Sequence, residues 1–314
     1  MADLLRSSPI ETSGARRLRN LLAAAADPDA GPLLAPGAYD ALSARLVEQA
    51  GFDAVYMTGF GTSAGYLGRP DVGLLGMSEM CDNAARIVAA VDVPVIADAD
   101  TGYGNAINVV RTVAAYERAG VAGLHLEDQV MPKRCGHMDG KAVVPRAEMV
   151  AKIEAAVAAR RDPDLVLIAR TDARATEGLD RALDRARAYR DAGADVLFVE
   201  ALLGEAEIER VAGELAGTPL LFNWAEGGKT PPLPHQRLRE LGYALVIFPI
   251  GTMLAATRAM QHFLAALREA GTPLPVLDEL PTFDGFLDTI GLAEVRALES
   301  RFAAEADRRG TDAG

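Results

Sequence analysis

The chain has 314 residues, a net charge of −12 and a pI near 4.9. An acidic surface repels phosphate backbones and anionic lipid, which argues against nucleic-acid and membrane partners. Half of the residues are hydrophobic, but they fall in short runs, well below the ~20 residues that a membrane span requires. Met1–Leu22 lacks the basic-then-apolar order of a secretory signal. Two cysteines, Cys81 and Cys135, make no disulfide framework and fit a reducing cytoplasm.

Eight short apolar runs follow one another along the chain. They are Leu33–Pro36, Ala54–Thr58, Val93–Asp98, Gly123–Glu127, Leu165–Arg170, Val196–Glu200, Leu220–Asn223 and Leu245–Pro249. Each is nearly continuous in apolar residues, as parallel strands covered on both faces are. Ala-rich segments with helical spacing lie between them, at Ala41–Ala50, Ala106–Ala119, Ala147–Arg160, Leu179–Ala192 and Glu205–Ala216. Ala50–Gly51, Ala119–Gly120 and Ala192–Gly193 each stand before a strand. A Gly just past a helix supplies the left-handed residue that turns the chain back. Eight strand–helix units predict an α/β fold, a closed (β/α)8 barrel rather than an open sheet.

The barrel with its N-terminal helix is expected over residues 1–270. From 271 to 314 the chain becomes Pro-punctuated (Pro273, Pro275, Pro281) and then helical from about Leu292 to Ala306, a C-terminal helical extension without a strand. The tail from Arg308 is expected to fray.

Polar residues gather at the C-terminal ends of the strand runs. They are Tyr56 and Thr58, Asp98 and Asp100, Glu127 and Asp128, Arg170 and Asp172, Glu200, and Asn223. Barrel enzymes build their sites on that face, so these residues are expected to converge. Asp98 and Asp100 are two apart, which puts both carboxylates on one side of a strand. Oxygen-only ligands suit Mg2+, or Mn2+, with water and substrate completing the shell. Glu127 is placed to join them through water.

Lys133-Arg134-Cys135-Gly136-His137 places a thiol among three potential cations in a polar loop. That surrounding is expected to lower the thiol pKa and keep it accessible, which suits a proton donor or acceptor near neutral pH. Gly59, Gly61 and Gly65 in TGFGTSAG predict a Gly-rich loop able to present backbone N–H groups to a carboxylate. His125 reads as a core histidine, and Trp224 either lines a pocket or packs.

Taken in order, PGAYDALSARLVEQAGF, VYMTGFGTSAGYLGRPDVGL, PVIADADTGYGN, LHLEDQVMPKRCGH, ARTDA, GADVLFVEA, NWAEGGKTP and GYALVIFP resemble the isocitrate lyase/phosphoenolpyruvate mutase superfamily. The matching stretches run from about Pro36 to Pro249. The resemblance implies a TIM barrel, a Mg2+ cofactor and a homotetramer with C-terminal helices exchanged between subunits. It implies that Thr58, Gly59 and Phe60 hold the 2-oxo acid end of a ligand and that Asp98, Asp100 and Glu127 position the metal. Asp71 would sit beside the reacting centre. Lys133, Gly136 and His137 would belong to a gating loop with Cys135. Arg170, Glu200 and Asn223 would contact ligand or metal-bound water.

KRCGH is the lyase form of that loop. It implies retro-Claisen cleavage of a 2-hydroxy dicarboxylate to pyruvate or another 2-oxo acid, with Tyr56 as the base and Cys135, Arg170 and His137 completing the catalytic set. Leu254 stands where methylisocitrate lyases carry an Arg, which favours a 2-alkylmalate or dimethylmalate over a tricarboxylate. Carboxyphosphonoenolpyruvate mutases share KRCGH, so P–C bond formation is an alternative. Oxaloacetate decarboxylation or hydrolysis is a third.

Overall fold

Parallel strands close into a barrel in strict chain order in the computed structural model, which describes residues 13–311 apart from 26, 28 and 29. The strands are β1 (Leu33–Ala38), β2 (Val55–Met57), β3 (Val95–Asp98), β4 (Gly123–Glu127), β5 (Val166–Thr171), β6 (Val196–Val199), β7 (Leu220–Asn223) and β8 (Leu245–Phe248). The ring shuts where Leu33–Pro36 of β1 pairs with Leu245–Phe248 of β8.

The helices are α1 (Gly14–Ala24), α2 (Ala41–Gln49), α3 (Gly59–Leu67), α4 (Met77–Ala90), α5 (Ala106–Ala119), α6 (Arg146–Ala159) and α7 (Ala173–Glu177). They continue with α8 (Leu179–Asp191), α9 (Glu205–Glu214), α10 (His235–Glu240), α11 (Gly251–Ala270), α12 (Phe283–Thr289) and α13 (Leu292–Thr311). Gly51, Gly120 and Gly193 have φ of 88°, 87° and 105°, the left-handed geometry that the recurring Ala-Gly pairs predict. Asp40 and Asn105 cap α2 and α5 by accepting first-turn backbone N–H groups.

Two apolar layers divide the core. The inner one fills the barrel with Ala54, Ile96, Val166, Ile168, Val196, Phe198, Leu221 and Ile247, and α1 adds Leu18 and Leu22 from the N-terminal end. The outer layer lies between strands and helices and includes Met80, Ile87, Val113, Tyr116, Leu183 and Ile208. With the N-terminal end filled by apolar side chains, polar chemistry is left to the opposite end.

Contacts group the described residues up to Leu254 in one compact unit and those from Ala255 onward in a second. The second contains the rest of α11, a 3-10 helix at Leu274–Glu279, and α12 and α13. It has no strand, as expected, but α12 is absent from the sequence reading. Helix α13 runs to Thr311, beyond the predicted end, and residues 312–314 lie outside the described residues. So do residues 1–12, most of the stretch expected to carry no secretory signal. No helix among the described residues is long and apolar enough to cross a membrane.

Candidate active site

The strand ends meet around a cavity of about 240 Å³ at the C-terminal mouth of the barrel. Tyr56, Thr58, Phe60, Asp71, Asp98, Lys133, Cys135, Gly136, His137, Arg170, Glu200 and Asn223 line it. Asp100 and Glu127 stand just behind, paired with the lining cations Lys133 and Arg170. Gly59 lies against Asp98, so close that a β-carbon there would collide with the carboxylate.

The Gly-rich segment after β2 is a helix, not a loop, which corrects the sequence expectation. Thr58 caps α3, its hydroxyl accepting from the Gly61 N–H at 3.1 Å. Helix N-termini leave their first N–H groups without intrahelical partners, so Gly59 and Phe60 still present donors suited to an anion.

Asp98 and Asp100 face each other across a tight turn. Asp98 Oδ1 accepts the Asp100 N–H at 2.9 Å. Asp100 and Tyr103 adopt φ of 47° and 59°, conformations that cost non-glycine residues about 1–3 kcal/mol and persist only where neighbours enforce them. Lys152 is one such neighbour, its buried ammonium donating to the Thr101 carbonyl at 3.2 Å.

Lys133 reaches over this turn, 2.6 Å from Asp100 Oδ1 and 2.7 Å from Asp71 Oδ2. Burial and the Asp98 charge push the Asp100 carboxyl up to about 6, against the pull of Lys133. Burial also works to raise Asp98, yet the nearby His125 and Lys133 and the Asp100 N–H outweigh it and hold that carboxyl below its ordinary value. Glu127 is pushed well above the ordinary range by burial, and its Oε1 is buried without a hydrogen-bond partner.

Arg170 organises the other half. It holds Asp172 with two hydrogen bonds of 2.9 and 3.1 Å, lies 3.3 Å from both Glu127 and Glu200, and stacks 5.1 Å from the Phe198 ring centre. Asp172 also pairs with Lys141 at 2.8 Å. Burial would raise Asp172, but Arg170 and Lys141 hold it far below the usual carboxylate range.

Asp128 does not converge on the cavity. Strand alternation turns it away from Glu127, and it accepts from Thr171, Tyr189 and the Asp172 backbone at 2.7, 2.7 and 2.8 Å. It therefore braces the Arg170–Asp172 turn from outside the barrel.

Cys135 lines the cavity, as its loop predicts, but its protonation is the reverse of the expectation. Burial raises the thiol pKa, and the Asp71 charge adds to that, outweighing the backbone hydrogen bond from the His137 N–H and the Arg170 charge. The neighbouring cations are committed elsewhere: Lys133 to Asp71 and Asp100, and Arg134 to the Asp139 carbonyl. Near neutral pH the group is a thiol, ready to give a proton.

Tyr56 stays protonated at rest. Its hydroxyl is 2.8 Å from His125 Nε2, and burial and the Asp98 charge put its pKa well above 10. A resting phenolate base is therefore unavailable. Burial lowers the His125 pKa against the opposing Asp98 charge, and the same Nε2 lies 3.5 Å from Asp98 Oδ1. His125 Nδ1 is buried without a hydrogen-bond partner.

The loop carrying Cys135 is pinned at several points. Gln129 grips the Arg134 backbone through N–H and carbonyl at 3.0 and 2.8 Å. His137 Nδ1 accepts the Lys229 N–H at 3.0 Å, while Nε2 lies 3.4 Å from Asn223 and 3.7 Å from Glu200. The ring therefore ties this loop to the segment after β7. Gly136 packs so tightly on Arg170 and Glu200 that a β-carbon would clash with both. Trp224 packs against Phe248 and donates to the Leu233 carbonyl at 3.1 Å.

Sequence reasoning missed His125, Lys141 and the residues at the β7 and β8 ends that complete the cavity, namely Ala225, Glu226, Ile247, Pro249 and Ile250. His125 carried a usable signal: it is two residues before Glu127 on one strand and so shares its side. The apolar cavity residues carried none, since they read as strand and turn.

A barrel with buried carboxylates, two committed cations and a thiol at its C-terminal mouth defines a polar-acid enzyme of the (β/α)8 class. A family model described as phosphoenolpyruvate phosphomutase matches residues 23–268. The chain belongs to the phosphoenolpyruvate mutase/isocitrate lyase superfamily. It is 52% identical to the 2,3-dimethylmalate lyase of Eubacterium barkeri over 86% of this chain and 93% of that one. It is 45% identical to a 2-methylisocitrate lyase of Aeropyrum pernix over 88% of each chain. Among solved structures, a 2,3-dimethylmalate lyase superposes with a TM-score of 0.86 at 42% identity, covering 92% of this chain and 95% of that one. A phosphonopyruvate hydrolase bound to oxalate and Mg2+ superposes with a TM-score of 0.83 at 33% identity, covering 93% and 100%. The chain is thus an enzyme of a superfamily in which these curated relatives are lyases.

Proposed function

We propose that this enzyme is a Mg2+-dependent carbon–carbon lyase that cleaves a 2-alkylmalate-class 2-hydroxy dicarboxylate to pyruvate or a near 2-oxo acid and a carboxylate. One observation carries this reading: a protonated thiol, Cys135, shares a small cavity with Arg170 and Lys133 and with the donor end of α3. A cleavage that leaves a carbanion needs a proton returned to carbon, and a thiol held protonated supplies it. A phosphoryl rearrangement returns no proton, so this feature supports cleavage over P–C bond formation.

The carboxylates fit a divalent cation. Among the described residues, Asp71, Asp98, Asp100, Glu127, Asp172 and Glu200 pair with Lys133, Lys141 and Arg170 and lie beside His125 and His137, an excess of negative charge where an anion must bind. The unpartnered Glu127 Oε1 points the same way. Among the described residues no three acidic, His or Cys side chains surround a metal position by themselves, so water and substrate would complete the shell. Asp98, Asp100 and Glu127 would hold Mg2+, with Mn2+ as substitute, and the ion would supply positive charge to the 2-oxo acid end.

The residues then divide the work. Thr58, Gly59 and Phe60 receive the carboxylate of the 2-oxo acid end. Tyr56 accepts the 2-hydroxyl proton as it passes its own to His125 Nε2, 2.8 Å away. The C2–C3 bond breaks, and its electron pair spreads into the neighbouring carboxylate, which Arg170 and Lys133 face. Cys135 delivers its proton to C3. Asp71 and Asn223 orient the groups around the reacting carbons, through Lys133 and Glu200 respectively. His137 keeps the loop shut, which excludes water from the carbanion.

We also propose the homotetramer with exchanged helices from residue 271 onward. The second unit exposes Met260, Leu264, Leu274, Leu277, Phe283 and Ile290, a surface suited to burial against another copy. Sedimentation would show a tetramer for the full chain. A coupled pyruvate assay over a panel of 2-alkylmalates, with Mg2+ and with EDTA, tests the activity. Release is expected with Mg2+ and absent with EDTA; no release from any substrate overturns the lyase reading.

A further inference from the structure

The cavity has two unlike walls. Its charged wall, from β2 to β6, carries the lining cations Lys133, Arg134 and Arg170. The wall at the ends of β7 and β8 is made of Ala225, Ile247, Pro249 and Ile250, with Phe60 beside it and a single ionisable group, Glu226. Glu226 Oε2 is buried and has no hydrogen-bond partner. Its Oε1 fills the space beside Gly251 where a β-carbon would stand, at the start of α11. The positive end of that helix favours an acid there.

Among the described residues, no Lys or Arg lines the cavity on this side; Arg134, on the Cys135 loop, donates to the Asp139 carbonyl. Lys133 is held by Asp71 and Asp100, and Arg170 by Asp172, Glu127 and Glu200. A substrate lying with its 2-oxo acid end on the charged wall sends its other end toward Ile247 and Ile250. An alkyl group there meets apolar carbon. A carboxylate there loses its water, gains no counterion and faces Glu226, and an unpaired like-charge contact is strongly unfavourable.

We propose that Glu226, set in the apolar wall of Ile247 and Ile250, is a charge filter: it admits an alkyl tail at the far end of the substrate and rejects a carboxylate. The filter rests on the proposed placement of the 2-oxo acid end but not on the cleavage step. It deepens that reading by assigning substrate choice to a residue outside the catalytic set.

The test is a matched pair of ligands. 2-Oxopentanoate and 2-oxoglutarate share a 2-oxo acid head and a five-carbon chain, and differ in whether the far end is methyl or carboxylate. Their affinities for the full-length protein in Mg2+ are measured by calorimetry. The wild type should bind 2-oxopentanoate at least roughly tenfold more tightly, and Glu226→Gln should shrink that ratio by about tenfold through tighter binding of 2-oxoglutarate. Glu226→Ala provides a second variant should the first fold poorly. Equal affinities in the wild type, or an unchanged ratio in both variants, overturn the filter. Binding of neither acid overturns it together with the 2-oxo acid placement. Discrimination in binding without pyruvate release from any alkylmalate sustains the filter and removes the lyase reading.

Discussion

The two ends of the barrel are built from the same strands and do opposite work. At the N-terminal end α1 lays Leu18 and Leu22 against inward-facing Leu33, Ala54, Val166 and Val196. At the C-terminal end the inward positions carry charge. Along β5 the inward series runs Val166, Ile168, Arg170; along β6 and the residue after it, Val196, Phe198, Glu200; along β7, Leu221, Asn223. Strands β5 and β6 pass from oil to ions within about four residues, whereas β8 and the residue after it end in Ile247 and Pro249. Stability is concentrated at one end, which frees the other to bury acids that no stable core would choose.

Substitutions at the two ends should therefore separate activity from stability. The largest effect is expected for Cys135→Ser, which should slow cleavage by roughly 10³-fold, the scale of a lost general acid, while the melting temperature stays near that of the wild type. A variant within tenfold of wild type would show that the proton comes from elsewhere. Leu18→Ala at the plug should do the reverse. It should cost about 3 kcal/mol in denaturant unfolding and leave turnover per folded molecule near wild type. A large loss of turnover would mean that the two ends are coupled.

The pH profile sharpens the same contrast. Cys135 must be protonated to act, and burial raises its pKa. Activity should hold through neutral pH and fall only as pH rises through the raised thiol value, above the ordinary ~8.5. That alkaline limb should vanish from the residual activity of Cys135→Ser; a limb that persists assigns it to another group. The smallest effect is expected at the rim, where Lys229 pairs with the exposed Asp139 at 2.5 Å. Lys229→Ala should raise KM by about threefold or less, with no change in melting temperature, as befits an exposed ion pair. A loss of kcat there would make this pair part of the closure itself.

Much of the site was legible because strand periodicity fixes which side chains share a side. Glu127 and Arg170 could be placed at the strand ends from spacing, but Asp100 lies past the end of β3 in a left-handed turn, so strand alternation does not set its side. Protonation was not legible. The cations around Cys135 in sequence turn to other partners in space, so the expected direction of its pKa was wrong, and the phenol of Tyr56 is sealed against His125. Glu226 and the apolar wall were invisible for a related reason: an acid beside Gly and an isoleucine in a strand are ordinary until the fold sets them across a cavity from Arg170.

The sequence by itself determined the eight strand–helix units, the turns at Gly51, Gly120 and Gly193, the superfamily, and the identity of most polar groups at the mouth. These depend on local periodicity and on backbone sterics. Only the tertiary structure decided which charges neutralise one another, that Asp128 turns outward, that Cys135 keeps its proton, and that one wall has no cation. Those depend on distances of a few ångströms between residues far apart in the chain, and on burial, which sets how strongly each charge is felt.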